Sequence, residues 1–362
     1  MVDESGLTRE EMKAEYRRGI LLKVAILVFS LICIVLFVGL LSVSNYEGVG
    51  LRETYQIIWN HLFGEPYETG SLYWWADRYI WNTAMPHALA AILAGAALAV
   101  CGAMMQSIMT NPLADPYSTG ISSGACFGAI SAIVMGLSFS TVVGEMGIVT
   151  NAFIGAMVPA LLIVFLSQRI HMTPATLILL GTAVSYFFNS MVTYLMVTTD
   201  VDTLQSAYLW QIGSLDGMTW SSLPFMAVFT IAGSAIVMLM ASKLNVMSLG
   251  ENSAVSLGVD IQSFRLYCLI LMAVMTAAIV SFTGILGFIG LVAPHLVRLV
   301  IGSDNRFVIP MSMAVGALLM LVSDYLAFQF ASIPVGVVLS VIGSPVFFAL
   351  IVWQNKRTGA IY

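Results

Sequence analysis

Residues 287–298 read GFIGLVAPHLVR and residues 120–124 read GISSG, and in both the side-chain types and spacing could do chemistry. GISSG satisfies G-x-S-x-G, which sets a nucleophilic serine on a sharp turn between a strand and a helix. Here an apolar stretch begins instead, and no acid and histidine partners are in evident reach. An esterase reading fails on those grounds. Gly120, Gly124 and Gly128, four apart, read as a small-residue face for close helix packing. In GFIGLVAPHLVR, Pro294 lacks the N–H that would bond the Gly290 carbonyl, which predicts a kinked helix with glycine leaving room for the bend. His295 and Arg298 lie three apart on one face of the last turn, where the helix dipole and a membrane interface favour cations. His295 reads there as an interfacial anchor with no chemistry of its own.

Other reactive patterns are missing. There is no GxxxxGK[ST], HExxH or suitably flanked GxGxxG, which predicts no nucleotide-hydrolysing, metal or dinucleotide site on this chain, and no catalytic residues. Cys33, Cys101, Cys126 and Cys268 sit in apolar runs without a CxxC and read as packed thiols. Asp324 is the nearest candidate for an ionisable group deep in an apolar run, while Gln106 and Asn189 suit interhelical hydrogen bonds. The 22 methionines read as flexible packing.

The elements that must hold these residues are membrane spans. The chain is 59% hydrophobic and 9% charged, against about 25% charged in soluble domains. Apolar runs long enough for roughly 30 Å of hydrocarbon fall at 21–42, 86–109, 118–136, 149–168, 175–197, 222–242, 265–283, 286–301, 307–328 and 334–353. The expected organisation is a cytoplasmic segment 1–20, one ten-helix domain 21–353 and a cytoplasmic tail 354–362. The N-terminus lacks a cleavable signal pattern, so the first run is expected to be retained as a span.

Basic residues set the orientation. With both termini cytoplasmic, Arg9, Lys13, Arg17, Arg18, Lys23, Arg169, Lys243, Arg265, Arg298, Arg306, Lys356 and Arg357 fall inside, leaving Arg52 and Arg78 outside. The outer side then carries Glu47, Glu53, Glu65, Glu68, Asp77, Glu145, Asp200, Asp202, Asp216 and Asp324. Ten spans divide five and five around the polar stretch 243–264, and an odd number per half inverts the second half, as in inverted-repeat transporters.

Two inner segments carry further signals. TNPLADP at 110–116 has two prolines to stop the second span, and Asn111 and Asp115 can each fold a local turn. SLGENSAVSLGV at 248–259 predicts a short helix from Glu251 to Leu257, closed by Gly258. Such a helix can dock into a partner or cover helix ends, and the residue types leave both open.

These stretches resemble the FecCD-type permeases, membrane subunits of ATP-driven importers for iron-siderophores, haem and vitamin B12. The resemblance runs through GAALAVCGAMMQSIMTNPLADPYSTGISSGACFGAI, LWQIGSLDGMTW, LGENSAVSLGVD, GILGFIGLVAPHLVRLVIGSDNRFVIP and IPVGVVLSVIGSPVFFALI, in both halves and in order. It implies an all-α polytopic fold of the type II importer class, with ten spans in two inverted halves. It also implies a second copy of the chain, two ATPase subunits holding ATP and Mg, an extracytoplasmic binding protein, and residence in a prokaryotic cell membrane among its lipids. No cofactor on this chain and no nucleic-acid partner are expected. Carried over by position, Gly250, Glu251, Ala254, Leu257 and Gly258 match the segment that engages the ATPase. Asn111, Pro112 and Leu113 match the inner gate, with Thr173, Pro174 and Ala175 at the start of the fifth span. Pro174 departs from the small hydroxylated residues common there.

The outer rim departs further. Many relatives carry Arg-Leu-Pro-Arg at the outer end of span two and an arginine at the end of span nine, facing glutamates of the binding protein. Here Ala84, Met85, Pro86, His87 and Phe328 occupy those places. Docking is therefore expected through His87, through Asp200, Asp202 or Asp216, or through aromatic contacts of the Tyr73, Trp74 and Trp75 segment. The implied function is an importer permease for an iron-siderophore, haem or corrinoid; an ion-driven transporter depending on Asp324 is the alternative.

Overall fold

The structure is a computed structural model that describes residues 9–43, 48–137, 145–167, 169–330 and 333–358. Glu47 and the outermost residues of both terminal segments lie outside that set. Among the described residues every regular element is helical. The order is α1 (Arg9–Val43), α2 (Leu51–Phe63), α3 (Leu72–Tyr79), a π-turn (Ile80–Ala84), α4 (Met85–Ile108), a 3-10 turn (Pro116–Thr119), α5 (Ile121–Met135), α6 (Glu145–Ser167), α7 (Pro174–Val197) and α8 (Val201–Ile212). There follow α9 (Leu223–Leu239), α10 (Ala241–Met247), α11 (Glu251–Ser256), α12 (Ile261–Thr283), α13 (Ile289–Ile301), α14 (Asn305–Gln329) and α15 (Val335–Thr358).

Six of these are long and apolar enough to cross a bilayer, and α9 with α10 would make a seventh, bent by 60°. At the remaining predicted positions stand the shorter apolar helices Ile121–Met135, Ile289–Ile301 and Val335–Leu350. On the far side of the bend, α10 is tied to the next half of the bundle. Asn245 donates its side-chain N–H to Asp304 at 2.7 Å and accepts from the Asn305 N–H at 2.7 Å, tying α10 to the start of α14.

The core forms around α4, whose alanine- and glycine-rich sequence is buried on nearly every side. It packs on α9, α12, α13 and α14. Small residues let the backbones meet. A Cβ on Gly102 would stand 1.7 Å from the Gly290 carbonyl oxygen, the same oxygen that Pro294 deprives of an N–H partner. The freed carbonyl thus rests against the Gly102 Cα, where a weak C–H···O contact is available. The helix continues through Pro294.

GISSG opens α5 and follows no strand. Gly124 and Gly128 pack on Gly155 and Asn151 of α6, whereas Gly120 adopts a left-handed turn, φ +84°, beneath Val184 of α7. Cys101, Cys126 and Cys268 are buried free thiols.

Helix α4 closes with the Asn111 N–H on the Gln106 carbonyl at 3.2 Å and the Thr110 N–H on Ser107 at 3.4 Å, a Schellman pattern that places Thr110 at φ +49°. A β-branched residue is strained there, which sequence reading did not anticipate. Thr110→Gly should raise stability by about 1 kcal/mol, seen as a higher thermal midpoint in detergent. A lower midpoint would mean that the Thr110 hydroxyl bond to the Met109 carbonyl, at 2.8 Å, outweighs the strain.

Candidate functional site

The bundle has two polar ends. The end with Arg169, Lys243, Arg265, Arg298 and Arg306 is the basic end, and the opposite end carries Asp200, Asp202, Asp216 and Asp324.

At the basic end the short helix appears where its sequence places it, α11 from Glu251 to Ser256. Gly258, at φ +79°, donates its N–H to Val255 at 2.9 Å and the Val259 N–H reaches Ala254 at 3.0 Å, completing a second Schellman motif. Gly250, at φ +96°, opens the helix. Ala254 faces the protein and is wholly buried, while Leu249, Val255 and Leu257 are 65%, 63% and 62% exposed. Glu251 does not point free into solution: its Oε1 accepts from Arg265 Nη2 at 2.7 Å. Arg265 is 1% exposed and also donates to the carbonyls of Met172 and Ile108. Sequence reading counted Arg265 only as an inner charge. The available signal was an arginine one turn inside an apolar helix, just after the Asp260 cap.

The predicted gate residues form helix-end turns beside this arginine. Asn111 Oδ1 accepts the Leu113 N–H at 2.9 Å, Pro112 and Leu113 are exposed, and Asp115 Oδ1 accepts the Tyr117 N–H at 2.9 Å. Both local turns expected from Asn111 and Asp115 are present. Thr173 caps α7 by accepting the Thr176 N–H at 3.2 Å, and Pro174 takes a first-turn position where its missing N–H costs no helical bond. Ala175 is exposed.

Arg298 is the centre of a second network. Its Nη2 donates to the Ala103 carbonyl at 3.1 Å, Ser107 Oγ at 2.8 Å and Asn305 Oδ1 at 2.9 Å, joining α4, α13 and α14. Nearby, desolvation pushes the Asp304 carboxyl up, but bonds from Arg306 and Asn245 outweigh it and hold the group at about 2. His295 is not an interfacial anchor. It is 2% exposed, its ring lies 6.5 Å from Phe347, and its Nε2 has no hydrogen-bond partner among the described residues. Helices packed over α13, among them α15 with Phe347, bury this flank, which sequence periodicity alone did not distinguish from a lipid-facing one.

At the acidic end His87 Nε2 meets Asp324 Oδ2 at 2.8 Å, with Asp324 5% exposed. They form part of the wall of a cavity of about 370 Å³ that also exposes Asn82, Thr83, Asp216 and Phe328. His87 therefore spends its Nε2 internally. Asp200 caps α8 through the Thr203 N–H at 3.0 Å, and such bonds hold its carboxyl below the ordinary range. Asp202 and Asp216 are exposed, Asp216 accepting from Ser214 Oγ at 2.8 Å.

Helices α2 and α3 cover this end with aromatic pairs. Trp74 and Trp75 meet edge to face at 4.6 Å, Arg78 lies over Trp74 at 4.7 Å, and Trp75 is 54% exposed. His61 bonds Asp77 at 2.7 Å and stacks on Trp81, whose carbonyl accepts from Trp220 Nε1 at 2.7 Å.

Comparison with known proteins places these features in context. Residues 27–353 match the model of the FecCD transport family. The hemin transport system permease of Yersinia pestis is 35% identical over 337 residues, covering 91% of this chain and 97% of that protein. An iron(3+)-hydroxamate import permease of Bacillus subtilis is 32% identical, covering 91% and 83%. The cobalamin import permease of Halobacterium salinarum is 36% identical, covering 74% and 71%. A solved inward-facing metal-chelate-type ABC transporter superposes with a TM-score of 0.76 at 28% identity, covering 90% of this chain and 98% of that one.

Proposed function

Because this chain belongs to the FecCD transport family, we propose that it is the permease subunit of an ATP-driven importer that passes an iron-siderophore, haem or corrinoid into a prokaryotic cell by alternating access. The observation that carries the reading is α11: a short helix outside the apolar bundle that offers Val255 and Leu257 to solvent, an apolar face suited to a partner's cleft. Two ATPase subunits occupy that face and hold ATP and Mg. The basic end is cytoplasmic, as are both termini.

Ten spans in two inverted halves fit the packing. Helices α4 and α14 pair as α12 and α6 do, α4 meets α13 as α12 meets α5, and α13 meets α14 as α5 meets α6. Exchanging the halves maps each pair onto its counterpart. A second copy of the chain completes the path, in keeping with the family.

An ion-driven mechanism is favoured by one feature, the buried His87–Asp324 pair, since membrane-embedded carboxylates mark proton and ion relays. The two readings separate on Asp324→Asn. In proteoliposomes containing the ATPase subunits, ATP-driven uptake of haem, a ferric siderophore or a corrinoid should survive within a few fold. Abolished uptake with hydrolysis intact would favour ion coupling.

The binding protein docks on the acidic end with basic residues facing Asp202 and Asp216, whose carboxylates are exposed. Each exposed pair is worth about 0.2–1 kcal/mol. Asp202→Asn with Asp216→Asn should therefore weaken binding to permease in nanodiscs several-fold, and added salt should weaken the native pair likewise. A loss on Trp75→Ala with no salt response would assign docking to the aromatic segment instead.

A further inference from the structure

One buried guanidinium touches three separate chain segments at the basic end. Arg265 Nη2 donates to Glu251 Oε1 on α11 at 2.7 Å and to the Ile108 carbonyl, the last residue of α4, at 3.4 Å. Its Nη1 donates to the Met172 carbonyl, immediately before the Thr173 cap of α7. Gln262, one turn earlier on α12, adds a strap to the same segment by accepting the Met172 N–H at 3.3 Å.

Each bond has a physical reason to persist. The Ile108 carbonyl is among the orphan acceptors at the negative end of α4, so a cation there satisfies both a lone pair and the helix dipole. Arg265 is 1% exposed, and Glu251 is its only ion-pair partner among the described residues. Drawing Glu251 away would leave a buried charge uncompensated, which is strongly unfavourable. The planar fork of arginine reaches several acceptors at once, which an ammonium point charge does not. Displacing α11 therefore drags the arginine, and with it the termini of α4 and α7.

We propose that Arg265 is a positioning residue that makes α11 and the basic-end termini of α4 and α7 move as one clamp, carrying ATPase movement to segments 109–116 and 171–175. The proposal rests on the importer reading above. It gives Glu251 a role directed into the permease, leaving contact with the ATPase to the apolar side chains of α11.

The test uses the intact assembly with its ATPase subunits in nanodiscs, Cys33→Ser, and spin labels at Leu113→Cys and Ser256→Cys, both exposed in the native chain and the second outside the apolar contact assigned to the ATPase. With Arg265 present, the label-to-label distance should form one narrow population that ATP with vanadate leaves unchanged. In Arg265→Gln and in the milder Glu251→Gln, ATPase subunits should stay bound and hydrolyse ATP, while the distance broadens and becomes nucleotide-dependent. Coupling of nucleotide to the Leu113 position should fall on the order of tenfold. Arg265→Lys, keeping the charge but not the planar fork, should leave the distance broad and nucleotide-dependent, whereas a role of charge alone predicts that lysine restores the narrow population. An unchanged narrow population in both glutamine variants, in assembled and hydrolysing complexes, would overturn the clamp. Failure of the native chain to bind any ATPase would overturn the importer reading itself, and it shows before any variant is made.

Discussion

Gly102→Ala should leave little folded protein. A Cβ at that position meets the Gly290 carbonyl oxygen at 1.7 Å and its carbon at 2.5 Å, both backbone atoms that no rotamer change can move. Relief requires α4 and α13 to separate, and α4 is the helix around which the core is built. Overpacking in a close-packed interior costs about 1–3 kcal/mol even where side chains can adjust, and here none can, so about 3 kcal/mol or more is expected. The freed Gly290 carbonyl would also lose its contact with the Gly102 Cα. Size-exclusion profiles in detergent and the thermal midpoint measure the effect, with Gly287→Ala as the control because a Cβ there meets nothing within 4 Å. A monodisperse Gly102→Ala protein with a native midpoint would show that the two helices are not held in this contact.

Leu257→Asp should separate folding from function. Leu257 is 62% exposed and follows the last turn of α11, so a carboxylate there meets water in the isolated permease and the fold stays intact. Against an ATPase cleft the same change removes the burial of a leucine side chain and adds a charge to be desolvated, about 3 kcal/mol together, or on the order of a hundredfold in affinity. ATPase capture by immobilised permease reads this directly. Ala254→Asp, by contrast, places a carboxylate in the core and should fail to fold. Equal ATPase binding by native and Leu257→Asp permease would remove α11 from the interface.

What the sequence made legible was local. Gly258 announced a left-handed helix end and the structure has a Schellman motif there; Asn111 and Asp115 announced turns and each accepts the backbone N–H that makes one. Apolar runs located the helices because length and hydropathy act residue by residue. Partnerships between distant segments were not legible. Arg265 meets residues 93 and 157 positions away in the chain, and His87 meets Asp324 at a separation of 237, pairs that no spacing rule encodes. His295 was misjudged for the same reason, since its burial depends on which helix covers α13. The outer loop hid its two helices, α2 and α3, because they are short and amphipathic, and α3 runs on through the π-turn into the apolar α4.

On the proposed function, ATP acting through α11 drives movement through this chain. The most direct measurement is uptake of haem, a ferric siderophore or a corrinoid into proteoliposomes containing the permease, its ATPase subunits and its binding protein, with ionophores present to collapse every ion gradient. Accumulation should require ATP on the ATPase side and be unaffected by the ionophores. Accumulation that proceeds without ATPase subunits and stops when the gradient is collapsed would contradict the proposed function.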